Sequence, residues 1–134
     1  MNFRLFSHKH QLYTNSPFWP SNQRTTSEFA LSPSGGILEI VRQAPYEDED
    51  DFVVEHDSRN FVVEPWSGYF DSAGRKIYLG DILEMVVFDT KYQVIWRDGE
   101  FVLKDLTGQH IDLSIRNCSH HSITGNVHNV EYAD

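Results

Sequence analysis

The sequence predicts a mainly β protein with little helix: a small C-terminal β-barrel, SH3-like or a related curled sheet, preceded by an N-terminal region of strands and loops. Three observations predict it. Aromatic residues make up 13% of the chain within a hydrophobic share of 40%, a balance that favours strands over a helical bundle. From Trp66 onward, short apolar runs follow one another closely, the spacing of a barrel or curled sheet. Between those runs stand Asp71-Ser72-Ala73-Gly74, Gly80-Asp81, Asp98-Gly99 and Thr107-Gly108, in which Asp bonds the nearby backbone and Gly accepts positive φ. A chain of 134 residues can bury a real core as one domain or as a barrel with a smaller appendage, and is too short for two full-sized domains. The expected division is 1–65 for the strands and loops and 66–134 for the barrel.

Taken in order, Asn2-Phe3-Arg4-Leu5-Phe6 alternates weakly and is followed, after a polar break, by Leu12-Tyr13-Thr14, which predicts a short strand or hairpin. Pro17, Pro20 and Pro33 punctuate the stretch from Asn15 to Ser34, so an irregular loop is expected there, with Phe18 and Trp19 covering something. Gly35-Gly36 introduces Ile37-Leu38-Glu39-Ile40-Val41, a strand by its β-branched content. The run Glu47-Asp48-Glu49-Asp50-Asp51 repels itself and belongs on an exposed loop; it lacks the glycine and the spaced ligands of an EF-hand. Phe52-Val53-Val54-Glu55 and Phe61-Val62-Val63-Glu64, separated by five polar residues, read as a hairpin, and Pro65 is expected to end its second strand or hold it at an edge. Ile82 to Phe88, Tyr92 to Trp96 and Phe101 to Lys104 are three further strands, the last two joined at Asp98-Gly99, a strong hairpin signal. Ile111, Leu113 and Ile115 alternate with Asp112 and Ser114, predicting one apolar and one wet face, and a final strand covers Ser122 to Val130.

The net charge of −9 opposes non-specific binding to duplex DNA, because phosphate contacts draw their affinity from Lys and Arg. The same charge suits docking on a basic protein surface, although an acidic balance also serves solubility. A single cysteine, Cys118, cannot form an internal disulfide, and its plain reading is a small buried or half-buried residue. The first twelve residues carry Arg4, His8, Lys9 and His10 and no apolar stretch of signal-peptide length, so the expected location is the cytoplasm.

The stretch Gly68-Tyr69-Phe70-Asp71-Ser72-Ala73-Gly74-Arg75-Lys76-Ile77-Tyr78-Leu79-Gly80-Asp81-Ile82-Leu83 resembles the signature of the YopX family: a Thr-Gly, an Asp, a turn ending in Gly, a basic residue, Ile-Tyr, one variable residue and Gly-Asp-Ile. Phe3-Arg4, Trp96 with Gly99 and Phe101, and Gly125-Asn126-Val127 agree in order. Ser67 replaces the usual Thr, and Asn15 to Asp51 matches nothing in the pattern. The resemblance implies a phage- or prophage-encoded protein of the bacterial host cytoplasm, a β-barrel-containing fold that self-associates, and no catalytic residues to carry over. In the signature the glycines fit turns, Ile77, Ile82 and Leu83 fit core positions, and Asp81 can cap a turn through its side chain.

Candidate chemistry is sparse. His8 with His10 and Cys118 with His120 and His121 lack the repeated spacing of a structural zinc site, and surface histidines are the expectation. No Ser stands in a nucleophile elbow, and no glycine loop is followed by Lys-Ser/Thr. No cofactor, metal ligand or catalytic residue is therefore assigned, and the chain is expected not to be an enzyme. The leading expectation is a homo-oligomer that binds a host or phage protein, with Glu47, Asp48, Glu49, Asp50 and Asp51 as partner contacts. The alternative is a single-stranded nucleic-acid or nucleotide module using Tyr78, Tyr92, Trp96 and Arg97, against which stands the need of a small barrel for aromatic residues to fill its core.

Overall fold

The computed structural model describes residues 2–20, 26–42, 51–85, 87 and 89–132. It is mainly β, with a curled half-barrel sheet. The chain forms two compact units, one of residues 1–4, 64–130 and 134 and the other of residues 5–63 and 131–133. No helix among the described residues is long and apolar enough to cross a membrane.

In the first unit, β8 (Asp81–Met85), β9 (Thr90–Arg97) and β10 (Glu100–Asp105) form an antiparallel meander, flanked by β11 (Leu113–Ser114) on β10 and β12 (Ser122–Asn126) on β8. The register sets Tyr92, Val94 and Trp96 opposite Asp105, Leu103 and Phe101, so the period of two puts these side chains on one face. Asp98 and Gly99 both take positive φ, 52° and 82°, the conformation a two-residue hairpin needs for its twist to match the strands. Leu83, Val94 and Leu103 pack with Ile77, Tyr92, Ile115 and Cys118 as the core, and Tyr69, Phe101, Leu113 and Ile123 close against it.

In the second unit, β3 (Thr26–Leu31), β4 (Ile37–Arg42) and β5 (Phe52–His56) form a three-stranded antiparallel sheet in that order. Ile37, Glu39 and Val41 are buried along one face of β4, and Leu38 and Ile40 on the other face are half-buried. In this unit too, Phe6 and Ser7 of β1 (Phe3–Ser7) pair with β2 (Leu12–Tyr13), while in the first unit Trp66 and Phe70 of β6 (Phe61–Phe70) pair with β7 (Lys76–Tyr78).

Four expectations are corrected. The stretch from Asn15 to Ser34 contains β3, because its prolines flank Thr26–Leu31 without entering it. Phe52–His56 and Phe61–Glu64 do not form a hairpin: β5 pairs with β4, and β6 belongs to another sheet. The Asp57 carboxylate accepts from the Arg59 N–H at 2.9 Å and caps a 3-10 turn over Ser58–Asn60, so the polar linker redirects the chain. Pro65 does not end β6, which continues to Phe70; its carbonyl accepts from Leu79 N–H, and the missing proline donor is tolerated beside an irregular register with β7. Finally, Ile111 is not part of an apolar strand face but is 82% exposed. The buried Asp105 carboxylate accepts from the Thr107 N–H and hydroxyl and from the His110 N–H, which holds the chain in a loop until β11.

Candidate functional site

The residues singled out in the sequence fall in different environments. Glu47, Asp48, Glu49 and Asp50 lie outside the described residues. Asp51 is exposed, its carboxylate 3.6 Å from Arg42 Nη1. Tyr78 and Tyr92 are buried, whereas Trp96 is 57% exposed and meets Phe101 edge-on at 4.9 Å. Arg97 donates to Asp112 at 2.6 Å. Of the four residues of the oligonucleotide reading, Trp96 and Arg97 are at the surface at one end of the β9–β10 hairpin, on opposite faces by their spacing.

The most connected polar centre in the first unit is one that sequence reasoning missed. Arg4 on β1 is buried, and its Nε donates to Glu64 Oε1 at 2.7 Å while its Nη1 lies 2.7 Å from Asp81 Oδ1. Its guanidinium carbon stands 4.9 Å over the Tyr78 ring, where the ring face attracts a cation. The second oxygen of each carboxylate is also used: Asp81 Oδ2 accepts from Tyr78 N–H at 2.8 Å, and Glu64 Oε2 lies 3.0 Å from His128 Nε2. Gly80 lies against this centre with φ +90°, and a Cβ there would fall 2.7 Å from Glu64 Oε2. Glycine is required on both counts. Burial first, and the neighbouring Glu64 charge with it, push the Asp81 carboxyl up to about 6 against the pull of Arg4 and the Tyr78 N–H. The one clue in the sequence was the pairing of Phe3-Arg4 with Gly80-Asp81 in the family pattern.

The remaining buried acids of this unit shape turns. Asp71 accepts from the Ala73, Arg75 and Ile123 N–H groups. Burial works against its ionisation, but these donors and the Arg75 charge outweigh burial and hold its carboxyl below the usual range. Asp105 is likewise held low, chiefly by the Thr107 hydroxyl. His121 is fully buried edge-on to Tyr92 at 5.4 Å, and neither ring nitrogen makes a hydrogen bond of good geometry. Burial first, then the adjacent His120, keep its imidazole neutral below its ordinary value, against a smaller opposing pull from the Asn117 backbone.

In the second unit the buried Glu39 carboxylate gathers three side chains: Trp19 Nε1 at 3.0 Å and Ser27 Oγ at 2.9 Å on Oε2, and His56 Nε2 at 2.9 Å on Oε1. Trp19 also packs edge-on against Phe29 and His10. The expectation that Trp19 covers something holds, for it closes this sheet face. Phe18 beside it is 74% exposed.

Chemically, these centres spend their carboxylates on backbone and side-chain donors of the chain itself, the arrangement of groups that position turns and strands. Among the large apolar residues, Phe18, Val53, Val87, Trp96 and Ile111 are each more than half exposed. A search of the curated proteins finds no match to the chain. The model of the family described as YopX protein matches residues 2–130. A match over nearly the whole chain, within which Gly80 and Asp81 build the Arg4 centre and Asp71 its turn, establishes that this chain belongs to the YopX protein family.

Proposed function

We propose that this chain is a non-enzymatic accessory protein of phage or prophage type that acts in the host cytoplasm by self-associating and binding a host or phage protein. The observation that carries the reading is the division of labour among its side chains. The buried carboxylates Glu39, Glu64, Asp71, Asp81 and Asp105 are each bonded within the fold, while large apolar residues stand at the surface of a chain with net charge −9. A contiguous apolar row such as Val53 with Ile40, rimmed by Glu28 and Glu55, is the kind of surface that contacts another protein. The acidic balance directs the choice toward a basic protein surface. We read the five-stranded sheet of the first unit as the wall of a small SH3-like barrel, a scaffold that presents such contacts without supplying chemistry.

The single-stranded nucleic-acid alternative has one favourable observation, the exposed Trp96 on Phe101, a stacking platform in shape. Affinity purification of the tagged chain from bacterial extract, with and without nuclease, separates the two. A protein retained in both conditions is the expected result. Material lost on nuclease treatment would overturn the protein-binding reading in favour of the alternative.

A further inference from the structure

Sheet edges are where a β protein is open to other chains, because alternate N–H and C=O groups along an edge strand have no partner. The edges of this molecule are unequal. β2 and β11 have two residues each, β7 has three and an irregular register, and β12 carries a register shift between Ile123 and Gly125. Shortness and bulges are the devices that blunt an edge. The two edges of the three-stranded sheet have neither, for β3 and β5 both pair with β4 without a shift, and among the described residues no strand pairs on the other side of β5. It holds no proline, and Phe52 and Val53 are 48% and 59% exposed.

The surroundings say what fits there. The register puts Glu28, Ile40 and Val53 in one row across the outer face, and Ala30, Leu38 and Glu55 in the next. Apolar side chains thus occupy the middle, with exposed carboxylates at Glu28 and Glu55 and further ones at Asp51 and Asp57 at either end of β5. Arg42 bonds Glu28 and lies near Asp51, and Arg59 bonds Asp57. Glu55 has no cationic partner among the ion pairs of the described residues.

We propose that the outer edge of β5 is a strand-addition site that takes an extended segment of a partner protein in which an apolar residue and a Lys or Arg stand two positions apart, on one face of the strand. Backbone hydrogen bonds to Phe52–His56 supply the affinity, and a basic residue opposite Glu55 beside an apolar one opposite Val53 supplies the selection. A second copy of this strand fits less well, since it adds carboxylates to an edge already rimmed by them. The proposal rests on the protein-binding reading and names its surface and the chemistry of its partner.

The test is a titration of the full chain with a labelled peptide that repeats Val-Thr-Lys-Thr, which sets Val and Lys in turn on one face, followed by amide hydrogen exchange of the complex. Expected are binding that falls about tenfold or more in Val53→Lys and in Glu55→Lys, no change in Trp96→Ala, and new protection confined to residues 52–56. Thermal melts of the variants establish that they remain folded. A peptide of the same composition interrupted by a central Pro is expected not to bind, since it cannot complete the strand. Equal binding of the Pro peptide, absence of protection in β5, or a self-dimer dissolved by Val53→Lys would each overturn the proposal. In the affinity purification, a protein retained equally by Val53→Lys would also overturn it while leaving the protein-binding reading intact. Loss of all nuclease-resistant partners from the unaltered chain would instead defeat that reading.

Discussion

Each unit takes carboxylates out of water, and the two do it by different means. In the first, Glu64 and Asp81 share the Arg4 guanidinium, with His128 on the far oxygen of Glu64. In the second, Glu39 is held by the neutral donors Trp19 and Ser27 and by the half-buried His56. A guanidinium keeps its charge at any pH a protein survives, so the first centre fails as a whole when its cation is lost. The second loses only one hydrogen bond at a time. The contrast also separates range: Arg4 and Glu64 are 60 positions apart, whereas Glu39 reaches donors within 20.

The largest effect expected is on Arg4. Arg4→Met leaves two buried carboxylates without their cation, and the loss of stability in urea unfolding at pH 7.5 is expected at about 3–5 kcal/mol. Repeating the measurement at pH 5 sharpens the point, because protonation of Asp81 removes one uncompensated charge and the deficit narrows. A variant as stable as the parent would break the account of this centre. Gly80→Ala comes next, at about 1–3 kcal/mol, from a left-handed backbone forced on a Cβ and its approach to Glu64. Glu39→Gln keeps shape and sets an amide N–H₂ against a donor, for about 1–2 kcal/mol. Should it equal Arg4→Met, the proposed difference between the centres is void.

Titration offers a finer probe of the same contrast. Asp81 has its folded pKa raised to about 6 from an ordinary 3.8, so the native state binds more protons in that window. Its contribution to stability therefore falls as pH rises from about 4 to about 6. His121 works in the opposite sense: with its folded value lowered from 6.5, acidification below that point favours the unfolded chain. Asp81→Asn is expected to leave a stability profile that only declines on acidification, and His121→Leu to flatten that decline. Parallel profiles for both variants and the parent would contradict the assignments. The smallest effect is Val53→Lys, expected within about 0.5 kcal/mol of the parent in thermal melts, since an exposed edge residue contributes little to folding.

How far the chain could be read in advance follows from the range of each interaction. The Asp98-Gly99 hairpin, the Asp71 to Gly74 turn and the capping role of Asp81 were all legible, because each depends on φ values and side-chain bonds within a few residues. Strand β3 was hidden by prolines on either side of it. The Phe52 and Phe61 runs misled because two similar β-strands near in sequence make a hairpin the economical pairing, yet the Asp57 cap turns the chain toward a different sheet. The Arg4 centre left no local trace: an arginine alternating with apolar residues reads as a solvent-facing position of β1.

By itself the sequence determined a mainly β chain, its short strands, most of its tight turns and its family. Those are set by side-chain period, by glycine and aspartate at turn positions, and by a signature contiguous over Gly68 to Leu83. Only the tertiary structure decided which strands share a sheet, that Tyr78 and Tyr92 turn inward while Trp96 does not, and that Arg4, Glu64 and Asp81 meet. These outcomes depend on contacts between residues far apart in the chain, where many pairings satisfy the same local pattern and burial selects among them.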